Sequence, residues 1–144
     1  MTRKLLIVDD ETYILDLLSD MFKIEGYEVF CALNGEQAIE MLRDTVFDVV
    51  ITDLVMPKMG GIKLFHEIKK VNPFAQIIII TGYPTLQGIA ELFEAGASDF
   101  LLKPFPLALI KSLVKASFDR MDRWYSLREE WATYREKQKT KYFS

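Results

Sequence analysis

The stretch Val49, Val50, Ile51, Thr52, Asp53 is apolar or β-branched for four residues and then stops on a carboxylate, which reads as a buried strand with an acid at its end. Upstream, Leu5 to Val8 has the same character and stops on two acids, Asp9 and Asp10. Downstream, Ile77 to Ile80 stops on Thr81, and Phe100, Leu101, Leu102 stop on Lys103 followed by Pro104. With Val29 to Ala32 these runs make five strands, separated by longer segments of helical period, the pattern of repeated βα units on a parallel sheet. In an open sheet of this kind the crevice lies outside the carboxyl ends of the strands. Asp9, Asp10, Asp53, Thr81 and Lys103 are therefore expected to converge on one site.

Three carboxylates in one place repel one another unless a cation neutralises them, and Mg²⁺ takes oxygen ligands of this kind. An acidic metal site with a hydroxyl and a lysine beside it suits phosphoryl transfer to an aspartate. The metal and the ammonium balance the charge of the incoming oxygens, and the hydroxyl donates a hydrogen bond to one of them.

Between the strands, Ile14, Leu17, Leu18, Met21 and Phe22 form a helical stripe that Gly26 closes. Asn34 is a good N-cap for a second helix over Gly35 to Arg43. Gly60 and Gly61 precede a third, Ile62 to about Val71, which the Asn72, Pro73 pair ends, and Thr85 caps a fourth that runs to about Glu94. From Pro106 to about Gln138 no proline or glycine intervenes, so the spacing predicts a helix of roughly 50 Å, longer than the sheet on which it packs. Its distal part carries Trp124, Leu127, Trp131 and Tyr134 at alternating spacings of three and four, a short a/d seam. The expected division is a domain over residues 1–118 and a helical extension over 119–144 without a separate output domain.

At 144 residues, 50% hydrophobic and 27% charged, the chain has the length and composition of one ordinary domain. A net charge of −3 gives no general affinity for nucleic acid, and Arg135, Lys137, Lys139 and Lys141 read as a solvated helix end. Cys31 is the single cysteine, which excludes an internal disulfide and fits a reducing compartment; His66 is the single histidine, which excludes a histidine metal cluster. No apolar stretch approaches the roughly 18 residues of a membrane span, so a cytoplasmic location is expected.

The chain from about Lys4 to Ala116 resembles the receiver domain of two-component response regulators. The resemblance is carried jointly by the acid pair in LLIVDDE, the strand VVITDLVMP, the glycine pair after it, the strand IIIITG, and FLLKPF. It implies a flavodoxin-like, doubly wound α/β sheet in the order 2-1-3-4-5. It implies Asp53 as phosphoacceptor, with Asp9, Asp10, Asp53 and the backbone carbonyl of Val55 around Mg²⁺. Thr81 and Lys103 would contact the phosphoryl group, Phe100 would be a switch aromatic moving with Thr81, and Pro104 is a candidate for a cis peptide. The partners implied are a sensor histidine kinase or phosphotransfer protein and a downstream protein target, with no direct nucleic acid and no membrane. The chain would catalyse only its own phosphorylation and dephosphorylation.

Two positions depart from many relatives: Val55 is apolar and Tyr83 is bulky where the path of an attacking water runs, which predicts a long-lived phosphoaspartate. The same residues bear on two other chemistries. A haloacid-dehalogenase-like phosphatase needs a second acid at the position of Val55, and a flavodoxin-like electron carrier needs a phosphate cradle where Asp9, Asp10 and Glu11 stand. A dimerisation adaptor with an idle receiver, or the receiver fragment of a longer regulator, remains compatible with the residues. The seam fits either a parallel coiled coil or an antiparallel or swapped homodimer.

Overall fold

The computed structural model describes residues 3–143; Met1, Thr2 and Ser144, which the expected division of the chain includes, lie outside the described residues. Five strands, β1 (Lys4–Val8), β2 (Glu28–Ala32), β3 (Val49–Asp53), β4 (Gln76–Thr81) and β5 (Asp99–Leu102), alternate with helices α1 (Thr12–Ile24), α2 (Gly35–Asp44), α3 (Gly61–Val71), α4 (Leu86–Glu94) and α5 (Leu107–Phe143). All strands are parallel in the expected order β2-β1-β3-β4-β5. The register brings Leu6 beside Phe30 and Val50, and Ile79 beside Phe100.

Alternation along each strand sends side chains to two separate cores. Leu6, Val8, Val50, Ile77 and Ile79 pack with Ala38, Leu42, Leu64, Phe65 and Ile68 of α2 and α3, and with Leu92 of α4. Leu5, Ile7, Val49, Ile51, Ile78 and Ile80 pack with Leu15, Leu18 and Phe22 of α1 and with Ile110, Val114 and Phe118 of α5. Helix ends follow the expected chemistry. The Asn34 side chain accepts from the Gln37 amide at the start of α2, Thr85 accepts from Gly88 at the start of α4, and Gly26 follows α1 with a positive φ of 95°.

Four of the strands begin a residue earlier than the apolar runs predict; at Lys4, Glu28 and Asp99 the first rung of the ladder lies at the rim of the sheet, where a polar side chain reaches water. Gln76 does the same for β4 but is buried, and its carbonyl oxygen accepts from Arg120 Nη1 at 2.6 Å and Ser98 Oγ at 3.1 Å. This contact belongs to a set that fixes the path of α5. Arg3 pairs with Asp119 at 3.0 Å and Asp122 at 2.7 Å while its guanidinium covers the Phe118 ring, and Tyr125 donates its hydroxyl to Asp48 at 2.7 Å. Burial and the neighbouring Asp48 carboxylate push the Tyr125 phenol up to about 12.

α5 runs 37 residues, past the expected end at Gln138. At 1.5 Å per residue it is about 55 Å long. Beyond Tyr125 nearly every described residue is exposed, so the helix outruns the sheet as expected. No helix among the described residues is long and apolar enough to cross a membrane.

Candidate functional site

The carboxyl ends of β1 and β3 place Asp9 and Asp53 side by side, both buried, at 0% and 4% exposed. Asp9 extends the β1 ladder, donating its amide to Ala32, and its Oδ1 accepts from the Glu11 amide at 2.9 Å as the chain turns into α1. The residue flanking α1 is Glu11, without a side-chain cap, so neither Asp9 nor Asp10 is used as an N-cap. Asp53 Oδ1 accepts from the Val55 amide at 3.1 Å, and Oδ2 accepts from Lys103 Nζ at 2.7 Å.

Lys103 is the cation of the site. Besides Asp53 it lies 2.8 Å from Asp9 Oδ2 and 3.0 Å from Glu11 Oε1. Its amide donates to the Thr81 carbonyl at 2.9 Å, and the Lys103 to Pro104 peptide is cis. Burial works against its charge, but the hydrogen bonds and fields of Asp53, Asp9 and Glu11 outweigh that and hold it above the ordinary lysine range. The Thr81 side chain is buried at the end of β4, with Oγ1 accepting from the Tyr83 amide at 3.1 Å. Phe100 is half-buried on β5, packed against the core shared with α2, α3 and α4. Val55 and Tyr83 stand exposed beyond Asp53 and Thr81.

Two particulars were not legible. Glu11 enters as a third carboxylate on Lys103, although the sequence marks it only as part of an acidic loop. At Gly82 a methyl would meet only the Lys103 stem, at 3.9 Å in ordinary contact. The glycine the site requires is Gly61, the first residue of α3, whose amide donates to Leu54 at 2.9 Å. A Cβ at Gly61 would fall on the Asp53 carbonyl oxygen and crowd Leu54 Cα. Gly61→Ala is expected to cost roughly 1–3 kcal/mol, read as a lower denaturation midpoint at unchanged slope. An unchanged midpoint would show that α3 can retreat from Asp53.

Asp9, Asp10 and Asp53 bring carboxylate oxygens within 4.8 Å of one another. Burial raises the Asp9 pKa, offset in part by Lys103 and the Glu11 amide and reinforced by Asp53. Asp9 Oδ2 is buried, and its one close polar neighbour among the described residues is the Lys103 ammonium at 2.8 Å, which leaves room for a further ligand on that oxygen. An oxygen in that state, in a cluster with only carboxylate donors and no histidine or cysteine, fits a hard divalent cation of the Mg²⁺ kind.

Comparison with known proteins agrees with the geometry. A profile of the response regulator receiver domain matches residues 5–115. Chemotaxis protein CheY of Thermotoga maritima is 38% identical over 119 residues, covering 81% of this chain and 99% of its own. Regulatory protein AtoC of Escherichia coli is 36% identical over 112 residues, covering 78% of this chain, and the match spans only 24% of AtoC. Among solved structures, a CheY-like receiver domain protein from Methanospirillum hungatei superposes with a TM-score of 0.82 at 28% identity, over 85% of this chain and 98% of that one. The fold and site define a receiver-type α/β domain. The chain belongs to the response regulator receiver domain family.

Proposed function

We propose that this receiver accepts a phosphoryl group on Asp53 and passes the change to a protein-binding surface. One observation carries the reading: the buried Asp53 carboxylate is held between the Lys103 ammonium and the Asp9 and Asp10 acids, whose oxygens gather within 4.8 Å of one another. The donor is the phosphohistidine of a sensor histidine kinase or phosphotransfer protein. An Asp53 oxygen attacks phosphorus, the phosphorus–nitrogen bond breaks, and the imidazole keeps the electron pair. Asp9, Asp10, Asp53 and the Val55 carbonyl are the residues that would hold Mg²⁺, which supplies positive charge to the transferring oxygens.

Lys103, shared between carboxylates, turns to the new dianion, and the Thr81 hydroxyl donates to a phosphoryl oxygen. Thr81 moving inward opens space for Phe100, and the face formed by α4, β5 and α5 changes. The only reaction catalysed is the chain's own phosphorylation and dephosphorylation, in the cytoplasm, with proteins and not nucleic acid as partners. Residues 1–118 form the receiver and 119–144 the extension.

The modification should be an acyl phosphate that hydroxylamine removes and that maps to the peptide containing Asp53. A hydroxylamine-stable adduct, or one on another peptide, contradicts the reading. Val55 and Tyr83, flanking the water path, support a phosphoaspartate that persists in the purified protein. Loss within seconds would contradict that, and Val55→Asn with Tyr83→Ala should shorten the lifetime.

A further inference from the structure

The family profile ends at residue 115, and nothing in the receiver reading assigns a role to the projecting part of α5. Trp124, Leu127, Trp131 and Tyr134 are 46%, 54%, 56% and 53% exposed, a contiguous apolar strip on a helix otherwise charged. Within its own chain the strip stays about half exposed: the Trp124 ring meets the half-exposed Phe74 ring, centroids 6.5 Å apart, and Trp131 stacks on Tyr134 of the same helix at 5.6 Å. An apolar notch of about 250 Å³ lies between Phe74 and this strip, beside Trp124, Leu127 and Trp131. Two large indoles left half in water call for a partner.

The charges beside the strip say which partner and which way round. With Trp124 and Trp131 at a and Leu127 and Tyr134 at d, the flanking g positions are Arg123, Glu130 and Lys137, and the e positions are Arg128 and Arg135. In a parallel pair each g faces the e five residues on in the other chain, so Glu130 meets Arg135 twice by symmetry. The other parallel contact, Arg123 with Arg128, is unfavourable, but Arg128 is drawn aside over the Tyr125 ring of its own chain, 5.3 Å from its centroid. An antiparallel pair that keeps all four apolar layers sets g against g and e against e. It juxtaposes Glu130 with Glu130, Arg128 with Arg128, and Arg123 with Lys137, every one a like-charge contact. Neither Glu130 nor Arg135 forms an ion pair within its own chain among the described residues.

We infer that the strip is the seam of a parallel homodimer, a two-stranded coiled coil of two α5 helices with Glu130 to Arg135 pairs between chains. Two heptads are too short to hold such a coil from free peptides. Here the helix is already ordered up to Tyr125 by Arg3, Arg120 and the Asp48 contact, so association does not carry the cost of nucleating it. A parallel coil sets both receivers at one end, and a change at either site then acts on a shared helical stalk. This inference stands apart from the phosphoacceptor reading, since it rests on residues outside the site.

The test is sedimentation of the full chain over a wide concentration range, with Glu130→Lys, Arg135→Glu and the double exchange alongside. In a parallel coil each single reversal faces like charge and should weaken dimerisation roughly tenfold, while the double exchange restores it. Circular dichroism checks that each variant keeps its helix. Orientation is read independently by oxidising Leu127→Cys in a Cys31→Ser background: a parallel seam places the two 127 positions opposite one another and they crosslink. A parent that is monomeric throughout overturns the inference. So does a dimer that ignores the charge reversals or fails to crosslink at 127. Phosphoryl acceptance is scored separately by mass, so failure of the seam and failure of the receiver site are distinguishable.

Discussion

Lys103→Met should lower the stability of the metal-free protein at neutral pH by roughly 2–4 kcal/mol, the cost of leaving buried carboxylates without their cation. The ammonium lies 2.7 Å from Asp53 and 2.8 Å from Asp9, with only 12% of its side chain exposed. Methionine keeps the stem and removes the charge, so lost packing does not explain the effect. The pKa of Lys103 is raised in the fold, which means its contribution is present below the ordinary lysine pKa and is lost as pH rises through the folded value. The whole neutral range therefore shows the full difference between parent and variant. Added Mg²⁺ should return part of the lost stability by supplying another cation. A variant as stable as the parent without metal would show that the acids are neutralised by something other than Lys103.

The second large effect is the response to Mg²⁺ itself. At a metal concentration a hundredfold above the dissociation constant, binding to the folded state alone stabilises by about 2.7 kcal/mol. Asp9→Asn should abolish most of that gain, because it removes the buried negative charge that the metal would engage. The same substitution has a pH consequence. Burial raises the pKa of Asp9, so the folded state favours its protonated form. Its contribution is present below the ordinary aspartate value and is lost as pH rises through the raised one. Without metal, Asp9→Asn should remove this loss and leave the protein more stable than the parent at neutral pH. Denaturation at several pH values, with Mg²⁺ and with a chelator, measures both effects. Equal gains from Mg²⁺ in parent and variant would contradict the assignment of Asp9.

Much of this arrangement is legible in the chain because a parallel sheet covered on both faces needs apolar residues at every interior position. A strand such as Val49 to Thr52 is then an unbroken run, and the polar residue that ends it, Asp53, stands out. The same contrast exposes Asp9, Thr81 and Lys103. Contacts between distant polar residues leave no such trace. Arg120 reaches Gln76 across 44 residues and Tyr125 reaches Asp48 across 77, and neither pair has a period or a composition that points to it. Glu11 is hidden for another reason: in a row of three acids nothing distinguishes the one whose side chain turns toward Lys103. Gly61 is required only because α3 begins against the Asp53 backbone, a tertiary fact, whereas Gly26 and Asn34 act within their own turns and are read directly. The strip from Trp124 to Tyr134 is visible as a pattern, and its exposure follows from a helix that continues past the edge of the sheet.

Whether Asp53 is the group that accepts phosphorus is read from the intact mass of the full chain after incubation with a small phosphodonor such as acetyl phosphate. Parent and Asp53→Asn are compared, each with Mg²⁺ and with a chelator. The expected result is the gain of one phosphoryl group by the parent in Mg²⁺, little or none in the chelator, and none by the variant in either. Equal gain by parent and variant would contradict it, as would a parent that gains nothing from both acetyl phosphate and a phosphohistidine protein.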